Sequence, residues 1–250
     1  MYNSFATIYD SFMDNIPYDM WCDQTVDILK QYGIFSGIIA ELGCGTGTLT
    51  EKLAERGFDM IGIDLSAEML DEAMNKKYES GHDILYLNQD MREFELYGTC
   101  AAIISRCDSI NYLTGYDDLV KTFKLVNNYL DPKGLFIFDV KTEFMFKSVL
   151  GYNTFSRSTD DATYIWQNAY YPEDKINEYM LTMFIRDGDK GDKYEKSTEA
   201  HVQRMFTLEE IRKAADEAGL VFIDAFDADD EGDIVDETTR MLVVLQERGK

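Results

Sequence analysis

The sequence predicts an α/β protein: a doubly wound, seven-stranded and mostly parallel sheet with a small antiparallel β insert. Two observations carry this prediction. Strand-like and helical segments alternate from residue 37 to residue 140, which is typical of a parallel sheet covered by helices on both faces. The rhythm changes between residues 141 and 206, where apolar and polar residues alternate in long runs separated by turns, as in an antiparallel meander.

The predicted elements of the main sheet follow in order along the chain. Residues 1–36 form a helical cap, with a helix that begins at Asp19. Strands are predicted over 37–42, 58–64, 83–88, 100–106, 134–140, 220–226 and 240–246. Helices are predicted over 48–56, 67–80 and 117–130, and from a Thr-x-x-Glu capping box that starts at Thr207 to Gly219. Ser66 is the predicted N-cap of the second of these helices.

The insert is predicted to hold three antiparallel strands, over residues 163–171, 176–186 and 193–206, with turns at 172–175 and 187–192. We therefore predict one domain made of residues 1–140 and 207–250, and an inserted β subdomain made of residues 141–206.

Composition limits the class of protein. The 250 residues are 45% hydrophobic, enough for a core without disulfides or metals. A net charge of −23 without any basic run argues against nucleic acid or an anionic membrane as a partner. The four cysteines lack metal-site spacing, so no metal is expected. With no signal peptide and no apolar run as long as a membrane span, we expect a cytoplasmic protein.

The turn after the first strand is the most informative segment. Glu41 ends the strand, and Gly43, Gly45 and Gly47 follow at alternate positions. Glycines here allow positive φ and let a ligand lie against bare backbone. A dinucleotide-binding turn requires glycine at position 48, which is threonine, and a phosphate-binding P-loop requires a lysine that is absent. An ordinary strand–turn–helix corner is the alternative interpretation.

Acidic residues end the next two strands. Asp64 lies about twenty residues beyond the glycine turn, where an acid binds ribose hydroxyls in nucleotide-binding folds. The alternative is that Asp64 only caps the following helix. Asp90 ends the third strand. Because the carboxyl ends of parallel strands meet at one edge of a sheet, we expect both acids beside the glycine turn.

The acid followed by alternate glycines resembles motif I of the class I S-adenosylmethionine-dependent methyltransferases, and the resemblance spans essentially the whole chain. Residues 105–113 resemble the motif IV region. They resemble more closely a bacterial group of small-molecule methyltransferases that share an Asp-Ser-x-Asn-Tyr-Leu segment, Tyr-Asp pairs near the N-terminus and a small antiparallel subdomain after the fifth strand. The Asn/Asp-Pro-Pro-Tyr signature of many amide and adenine N-methylating enzymes is absent.

The resemblance implies a Rossmann-like fold, S-adenosyl-L-methionine as cofactor and S-adenosyl-L-homocysteine as product. Glu41 would bind the ammonium of the methionine end, Asp64 the ribose, and Asp90 with the backbone of Met91 the adenine. The residues expected at the cofactor are Tyr9, Tyr18, Trp21, Glu41, Gly43, Cys44, Gly45, Thr46, Gly47, Asp64, Leu65, Ser66, Met69, Asp90, Met91, Arg106, Cys107 and Asp108. Core packing is an equal alternative for Trp21, and Arg106 could instead pair with a nearby acid or face the substrate.

The predicted activity is methyl transfer to a nitrogen, oxygen or sulfur atom of a small molecule, in a pocket covered by residues 141–206. Such transfer needs alignment above all, and a base only when the acceptor arrives protonated. No catalytic residue is therefore assigned; the candidates are Tyr9 as a lid, His201 as a base and Arg204 as a partner for an anionic group. A protein or tRNA methyltransferase and a non-catalytic cofactor sensor are the alternatives. The acceptor, and the choice between monomer and homodimer, stay open.

Overall fold

A computed structural model describes residues 3–187 and 193–250 of the chain. The strands are β1 (Ile38–Leu42), β2 (Asp59–Asp64), β3 (Leu85–Asn88), β4 (Cys100–Ser105), β5 (Leu130–Lys141), β6 (Thr154–Ser158), β7 (Ala162–Tyr171), β8 (Ile176–Arg186), β9 (Tyr194–Arg204), β10 (Leu220–Asp227) and β11 (Arg240–Glu247). The α-helices are α1 (Asn3–Phe12), α2 (Tyr18–Gln31), α3 (Thr48–Glu55), α4 (Ala67–Ser80), α5 (Tyr116–Tyr129) and α6 (Leu208–Ala218). A 3₁₀ helix (Ser109–Tyr112) follows β4, and a π-helix (Met145–Leu150) follows β5.

The main sheet has seven strands in the order β10-β11-β5-β4-β1-β2-β3. The pairs from β3 to β5 are parallel, and β11 pairs antiparallel with both β5 and β10. This confirms the predicted seven-stranded, mostly parallel sheet. The strand order reverses between β1 and β4, so the loops that leave the carboxyl ends of these two strands border the crevice where such folds bind ligands.

Two hydrophobic cores lie on opposite faces of this sheet, as successive strand residues point to opposite sides. In β5, Phe136 and Phe138 point to the core shared with α5 and α6, where both rings lie 5.4 Å from the ring of Phe123. Leu135 and Ile137 point to the other core, shared with α2 and α3. Burial on both faces explains the continuous apolar runs of the central strands.

A second, four-stranded antiparallel sheet is formed by β6, β7, β8 and β9. It confirms the predicted small antiparallel insert. The predicted strand over 176–186 matches β8, and those over 163–171 and 193–206 correspond to β7 and β9. Sequence reasoning missed β6, a short edge strand that contains two serines and an arginine, and it also missed the π-helix. Most of the predicted turn at 187–192 lies outside the described residues.

Several element boundaries differ from the prediction by one to four residues, and the start of the fifth strand differs most. The fifth strand was expected from residue 134, but β5 already begins at Leu130 and continues through Pro132. Lys133 has φ +67°, and the pairing with β4 is irregular at this place, a position where proline is tolerated in a sheet. At the N-terminus α2 begins at Tyr18 rather than Asp19, with Pro17 before it and no side-chain cap.

Both predicted helix caps are confirmed. The hydroxyl of Ser66 accepts the backbone N–H of Met69 at the start of α4. At α6, Thr207 accepts from the backbone N–H of Glu210, while the carboxylate of Glu210 accepts from the backbone N–H of Thr207. Gly219, with φ +82°, ends α6.

No helix in residues 3–187 or 193–250 is long and apolar enough to cross a membrane. Within the same ranges, no group of three or more His, Cys, Asp and Glu side chains could hold a metal ion. The four cysteines are all free thiols.

Thr207→Ala should lower the free energy of unfolding by about 1 kcal/mol, because α6 loses the hydroxyl that caps its first turn. Denaturant titration at equilibrium measures this difference. Thr207→Ser keeps the hydroxyl and should stay close to the wild type. If the serine variant loses as much stability as the alanine variant, the loss comes from the missing methyl group and not from the missing cap.

Candidate functional site

The glycine turn after β1 presents bare backbone at one position only. All three glycines adopt positive φ, +70° for Gly43, +54° for Gly45 and +73° for Gly47. A Cβ on Gly43 would lie 2.5 Å from the side chain of Ser109, and one on Gly47 would collide with Tyr86. A Cβ on Gly45 would meet nothing within 4 Å. The outer glycines are therefore required for close packing, and the middle one faces open space.

Glu41 lies buried beneath this turn. Its carboxylate accepts a hydrogen bond from the hydroxyl of Thr50 on α3. Burial raises the pKa of Glu41 to about 8, against the opposing effect of the Thr50 hydrogen bond. Near neutral pH the carboxyl therefore holds a proton, which a cation placed beside it would displace.

Asp64 joins the glycine turn to the start of α4. One carboxylate oxygen accepts the backbone N–H of Gly45 at 2.8 Å, and the other accepts that of Ser66 at 2.9 Å. Burial raises the pKa of Asp64, and these hydrogen bonds oppose the shift. The neighbouring Leu65 exposes 68% of its surface. An anchored acid beside an exposed apolar side chain is a combination that suits a ribose and an adjoining ring.

A third acid, Asp90, follows β3. Asp90 is held by the guanidinium of Arg92, with Arg92 Nε 3.0 and 3.1 Å from its two carboxylate oxygens. The hydrogen bonds from Arg92 lower the pKa of Asp90, which is therefore ionised and can accept from an amino group. Met91 packs partly buried against the core near Gly43.

The predicted residues of the turn and of the strands β2 and β3 thus gather at one edge of the sheet. Cys44 and Thr46 are buried within the turn, and Ser66 and Met69 form the first turn of α4 beside it. The backbone of the glycine turn offers a cradle for a ligand. Asp64 offers an acceptor for hydroxyls, and Leu65 beside it offers an apolar surface. Asp90, next to Met91, offers an acceptor for an amino group. These groups fit the parts of S-adenosylmethionine.

A buried charge network lies at the end of β4 and centres on Asp139 of β5. Arg106 Nε donates to this carboxylate at 2.9 Å, and Arg240 Nη1 donates at 2.8 Å. The backbone N–H groups of Cys107 and Asp108 donate to it at 3.2 and 2.6 Å. Cys107 and Asp108 have φ +59° and +55°, a left-handed conformation that non-glycine residues adopt only when their surroundings hold them there.

Asp108 extends the network towards the insert. Its carboxylate pairs with Lys141 Nζ at 2.5 Å and with Arg240 Nη2 at 2.8 Å, and accepts from Gln203 of β9 at 3.0 Å. Burial would raise its pKa, but Lys141 and Arg240 together lower it. The network thus ties the segment after β4 to β5, β11 and the insert. Sequence reasoning missed Asp139, Lys141, Gln203 and Arg240, which carry no local motif.

Trp21 and Arg106 turn inward. Trp21 is 1% exposed, and its ring lies 5.2 Å from the guanidinium carbons of both Arg106 and Arg240. Arg106 also donates to Gln24 at 2.9 Å and Thr25 at 3.3 Å on α2. The structure therefore favours core packing for Trp21 and the ion pair for Arg106, the alternatives left open by the sequence. Their side chains affect the site through the network.

The N-terminal helix closes over the glycine turn. Asp10 of α1 accepts from Thr46 at 2.7 Å and pairs with Lys76 of α4 at 2.6 Å. Further along, the ring of Phe12 lies 4.8 Å from the ring of Tyr164 in the insert. The helix α1 therefore links the turn to the insert.

Tyr9 lies on this helix, hydrogen-bonded to Tyr18. Burial raises the pKa of Tyr9, and Cys107, Tyr112 and Asp108 are near enough to add to the shift. These neighbours place the Tyr9 phenol beside the segment that follows β4.

The insert brings His201 to the same place. Its Nδ1 lies 3.3 Å from the hydroxyl of Tyr112, and its Nε2 lies 3.1 Å from the carboxylate of Glu199. Tyr179 stacks on the imidazole at 4.6 Å between ring centroids. Sequence reasoning named His201 but missed Glu199 and Tyr179; the spacing of two residues along one strand was the available signal for Glu199.

Arg204, the third catalytic candidate, forms its contacts at the start of α6. Its Nη2 donates to Glu210 at 2.8 Å, and its guanidinium lies 4.5 Å from the ring of Phe206. Glu210 belongs to the capping box, so Arg204 supports the join between the insert and α6. A role for Arg204 in substrate binding stays a prediction.

Gly45→Ala should weaken S-adenosylhomocysteine binding by more than about tenfold, because the added methyl enters the open space before the turn. Its left-handed backbone should cost about 1–2 kcal/mol of folding free energy. Calorimetric titration and denaturant unfolding measure the two effects separately.

Gly33→Ala is the matched control, since Gly33 has φ +78° and open space around its Cβ position but lies after α2. It should lose similar stability and keep full affinity. Equal affinity of the Gly45 variant and the wild type would show that the ligand does not lie against the turn.

Comparison with known proteins shows similarity along most of the chain. The family described as "Methyltransferase domain" matches residues 39–134. The putative methyltransferase YqeM of Bacillus subtilis (strain 168) is 37% identical over 220 residues, which cover 88% of this chain and 86% of that protein.

Solved structures agree with this similarity. An S-adenosylmethionine-dependent methyltransferase from Clostridium acetobutylicum ATCC 824 is 32% identical, has a TM-score of 0.89 and matches over 99% of both chains. The structure of CalS10 from Micromonospora echinaspora with bound S-adenosylmethionine, at 17% identity, shows the same fold, with a TM-score of 0.74 over 96% of both chains. Because relatives above 30% identity cover nearly the whole length, the chain belongs to the class I S-adenosylmethionine-dependent methyltransferases.

Proposed function

We propose that the enzyme methylates a nitrogen, oxygen or sulfur atom of a small molecule, in a pocket that residues 141–206 cover as an inserted subdomain. The observation that supports this proposal is the group of aromatic side chains beside the segment after β4. The hydroxyl of Tyr112 on this segment lies 2.6 Å from that of Tyr179 and 3.3 Å from Nδ1 of His201, both on the insert, and Tyr9 of α1 is near enough to interact with Tyr112 electrostatically. Aromatic rings with a few polar groups are typical of the lining of small-molecule sites.

The cofactor residues fall into three groups in this proposal. Glu41 and the glycine turn hold the methionine end, Asp64 holds the ribose, and Leu65, Asp90 and Met91 hold the adenine. Tyr9 and Tyr18 close the site from the N-terminal cap, while Cys107 and Asp108 lie beside the methyl-acceptor side. When bound, S-adenosylmethionine supplies a methyl group on a positively charged sulfur, so the protein's main task is to align the acceptor with it.

Two further facts support a small acceptor. The net charge of −23 disfavours a nucleic acid as substrate. CalS10, which shares the fold, is an amino pentose methyltransferase. Within small molecules, an amine of a sugar-like compound is therefore a reasonable first class of acceptor to test.

The test is transfer of a labelled methyl group from S-adenosylmethionine to fractions of a metabolite extract, with protein and RNA fractions tested in parallel. We expect label in a low-molecular-weight product with the wild type and none with Asp64→Ala. Label confined to protein or RNA would contradict the proposed substrate class. Absence of label in every fraction would contradict the proposed function.

Binding of S-adenosylhomocysteine near pH 7 should release about one proton from Glu41, because the ligand's ammonium favours the carboxylate. The sign follows from the raised pKa, about 8, which leaves this carboxyl protonated before binding. Calorimetry in two buffers of different ionisation enthalpy measures the released proton.

Glu41→Gln cannot release this proton and is the control. Its binding enthalpy should be independent of the buffer after correction for any other released protons. A wild type that binds the ligand without proton release would contradict the assignment of Glu41 to the ammonium.

A further inference from the structure

We infer that Tyr112, His201 and Glu199 form a proton relay that removes a proton from the methyl acceptor, with Tyr179 orienting Tyr112. This inference rests on the proposed function. It also defines the acceptor more closely, as a group that carries a proton on the atom to be methylated, such as an ammonium, a hydroxyl or a thiol.

The backbone brings the four side chains together. Glu199 and His201 are two residues apart on β9, so both point to the same face of the sheet. Tyr179 is the direct cross-strand partner of His201 on β8 and shares that face. Tyr112 ends the 3₁₀ helix after β4, and its hydroxyl lies 2.6 Å from that of Tyr179. The relay therefore bridges the insert and the main domain.

Glu199 determines which nitrogen of His201 carries the proton. The carboxylate is buried, and it can only accept from Nε2, at 3.1 Å. A neutral imidazole protonated at Nε2 has its lone pair on Nδ1. That nitrogen lies 3.3 Å from the Tyr112 hydroxyl, which must then be the donor. A buried carboxylate, an imidazole and a hydroxyl in this order form the arrangement that activates hydroxyl groups in other enzymes.

The direction of the hydrogen bond between the Tyr112 and Tyr179 hydroxyls follows from this donor assignment. The single proton of the Tyr112 hydroxyl is directed to His201, so Tyr179 donates to Tyr112. Within the described residues, these two hydrogen bonds leave the Tyr112 oxygen with one lone pair that can accept from a further donor. Tyr112 exposes 43% of its surface, so it lies outside the core. Its free lone pair is therefore open to a proton from a bound acceptor.

Neither phenol serves as the resting base. The pKa of both Tyr112 and Tyr179 is raised, because the protein surrounds the two hydroxyl groups and disfavours the phenolate even though the rest of the Tyr112 side chain is exposed, so both stay protonated near neutral pH. The basic atom of the relay is Nδ1 of His201. Tyr112 is the catalytic residue that touches the acceptor, while His201 and Glu199 act through it as positioning residues.

The proton transfer balances as follows. The acceptor gives its proton to the Tyr112 oxygen, while the original Tyr112 proton passes to Nδ1 of His201. The acceptor's freed lone pair forms the bond to the methyl carbon, and the electron pair of the broken carbon–sulfur bond stays on sulfur. The resulting imidazolium lies beside the Glu199 carboxylate, which stabilises it. The proton leaves to solvent after the product departs.

The first test reads the imidazole tautomers by ¹⁵N NMR of the full-length protein, with and without S-adenosylhomocysteine. The chain has only two histidines, and the other provides an internal control. The carboxylate of Glu51 lies 2.8 Å from Nδ1 of His82. We therefore expect opposite tautomers, Nε2–H for His201 and Nδ1–H for His82. A His201 ring protonated at Nδ1 would overturn the relay.

The second test measures kinetics with the acceptor fraction found by methyl labelling. His201→Gln and Tyr112→Phe should each lower kcat by about 100-fold, with the KM for the acceptor fraction and the affinity for S-adenosylhomocysteine unchanged. Glu199→Gln should also lower kcat, because the charge that stabilises the imidazolium is lost. His82→Gln and Glu51→Gln alter the equivalent pair outside the site and should leave kcat at the wild-type value.

The possible failures are distinguishable. A folded His201→Gln variant that keeps the wild-type kcat would overturn the relay and leave the proposed function intact. Variants that lose affinity for S-adenosylhomocysteine together with kcat would show a structural role and would also overturn it. A wild type that labels no fraction would overturn the proposed function, and the relay with it.

Discussion

The segment after β4, the proposed acceptor side of the site, depends on the hydrogen bonds of the buried Asp139 carboxylate. This carboxylate is fully buried and accepts hydrogen bonds from two guanidinium groups and from two consecutive backbone N–H groups. A buried charge costs several kcal/mol unless it is paired and hydrogen-bonded. Here both requirements are met, and the backbone of Cys107 and Asp108 is held in a left-handed conformation as a result.

This constraint connects distant parts of the chain. Arg106 and Asp108 follow β4, Asp139 lies near the end of β5, and Arg240 begins β11, so the network joins three neighbouring strands at one edge of the sheet. Through Gln203 it reaches the insert. The docking of the insert on the main domain, and with it the approach of His201 to Tyr112, therefore depends on these buried charges.

The cofactor side follows a different principle. It is built from backbone geometry, with two glycines packed against neighbouring side chains and Gly45 open. Asp64 then fixes the turn by accepting the Gly45 N–H. This part needs little more than a strand, a turn and an acid at the next strand end. In the proposed function, specificity for the acceptor comes from the N-terminal helix and the insert.

This division explains what could be predicted from the sequence. Gly45, Asp64 and the capping box at Thr207 follow local rules of spacing, and the strand–helix alternation predicted the sheet. Asp139, Arg240 and Tyr179 could not be found this way, because their roles arise only when strands far apart in the chain become neighbours. For the same reason Arg106 was expected at the cofactor, although its partner is a carboxylate 33 residues away on the adjacent strand.

The partners of His201 also show that contacts between residues far apart in the chain could not be predicted from the sequence. The histidine was visible as one of two in the chain, but its role depends on the Glu199 carboxylate on one side and the Tyr112 hydroxyl on the other. Only the first lies nearby in sequence. The pairing register of β8 and β9 and the docking of the insert on the main domain decide the second.

The most direct measurement is a crystal structure of the enzyme with S-adenosylhomocysteine. We expect the ribose on Asp64, the adenine between Leu65 and Met91, and the sulfur directed towards Tyr9, Tyr112 and His201. A ligand whose sulfur points away from these side chains, or whose ribose does not reach Asp64, would contradict the proposed site.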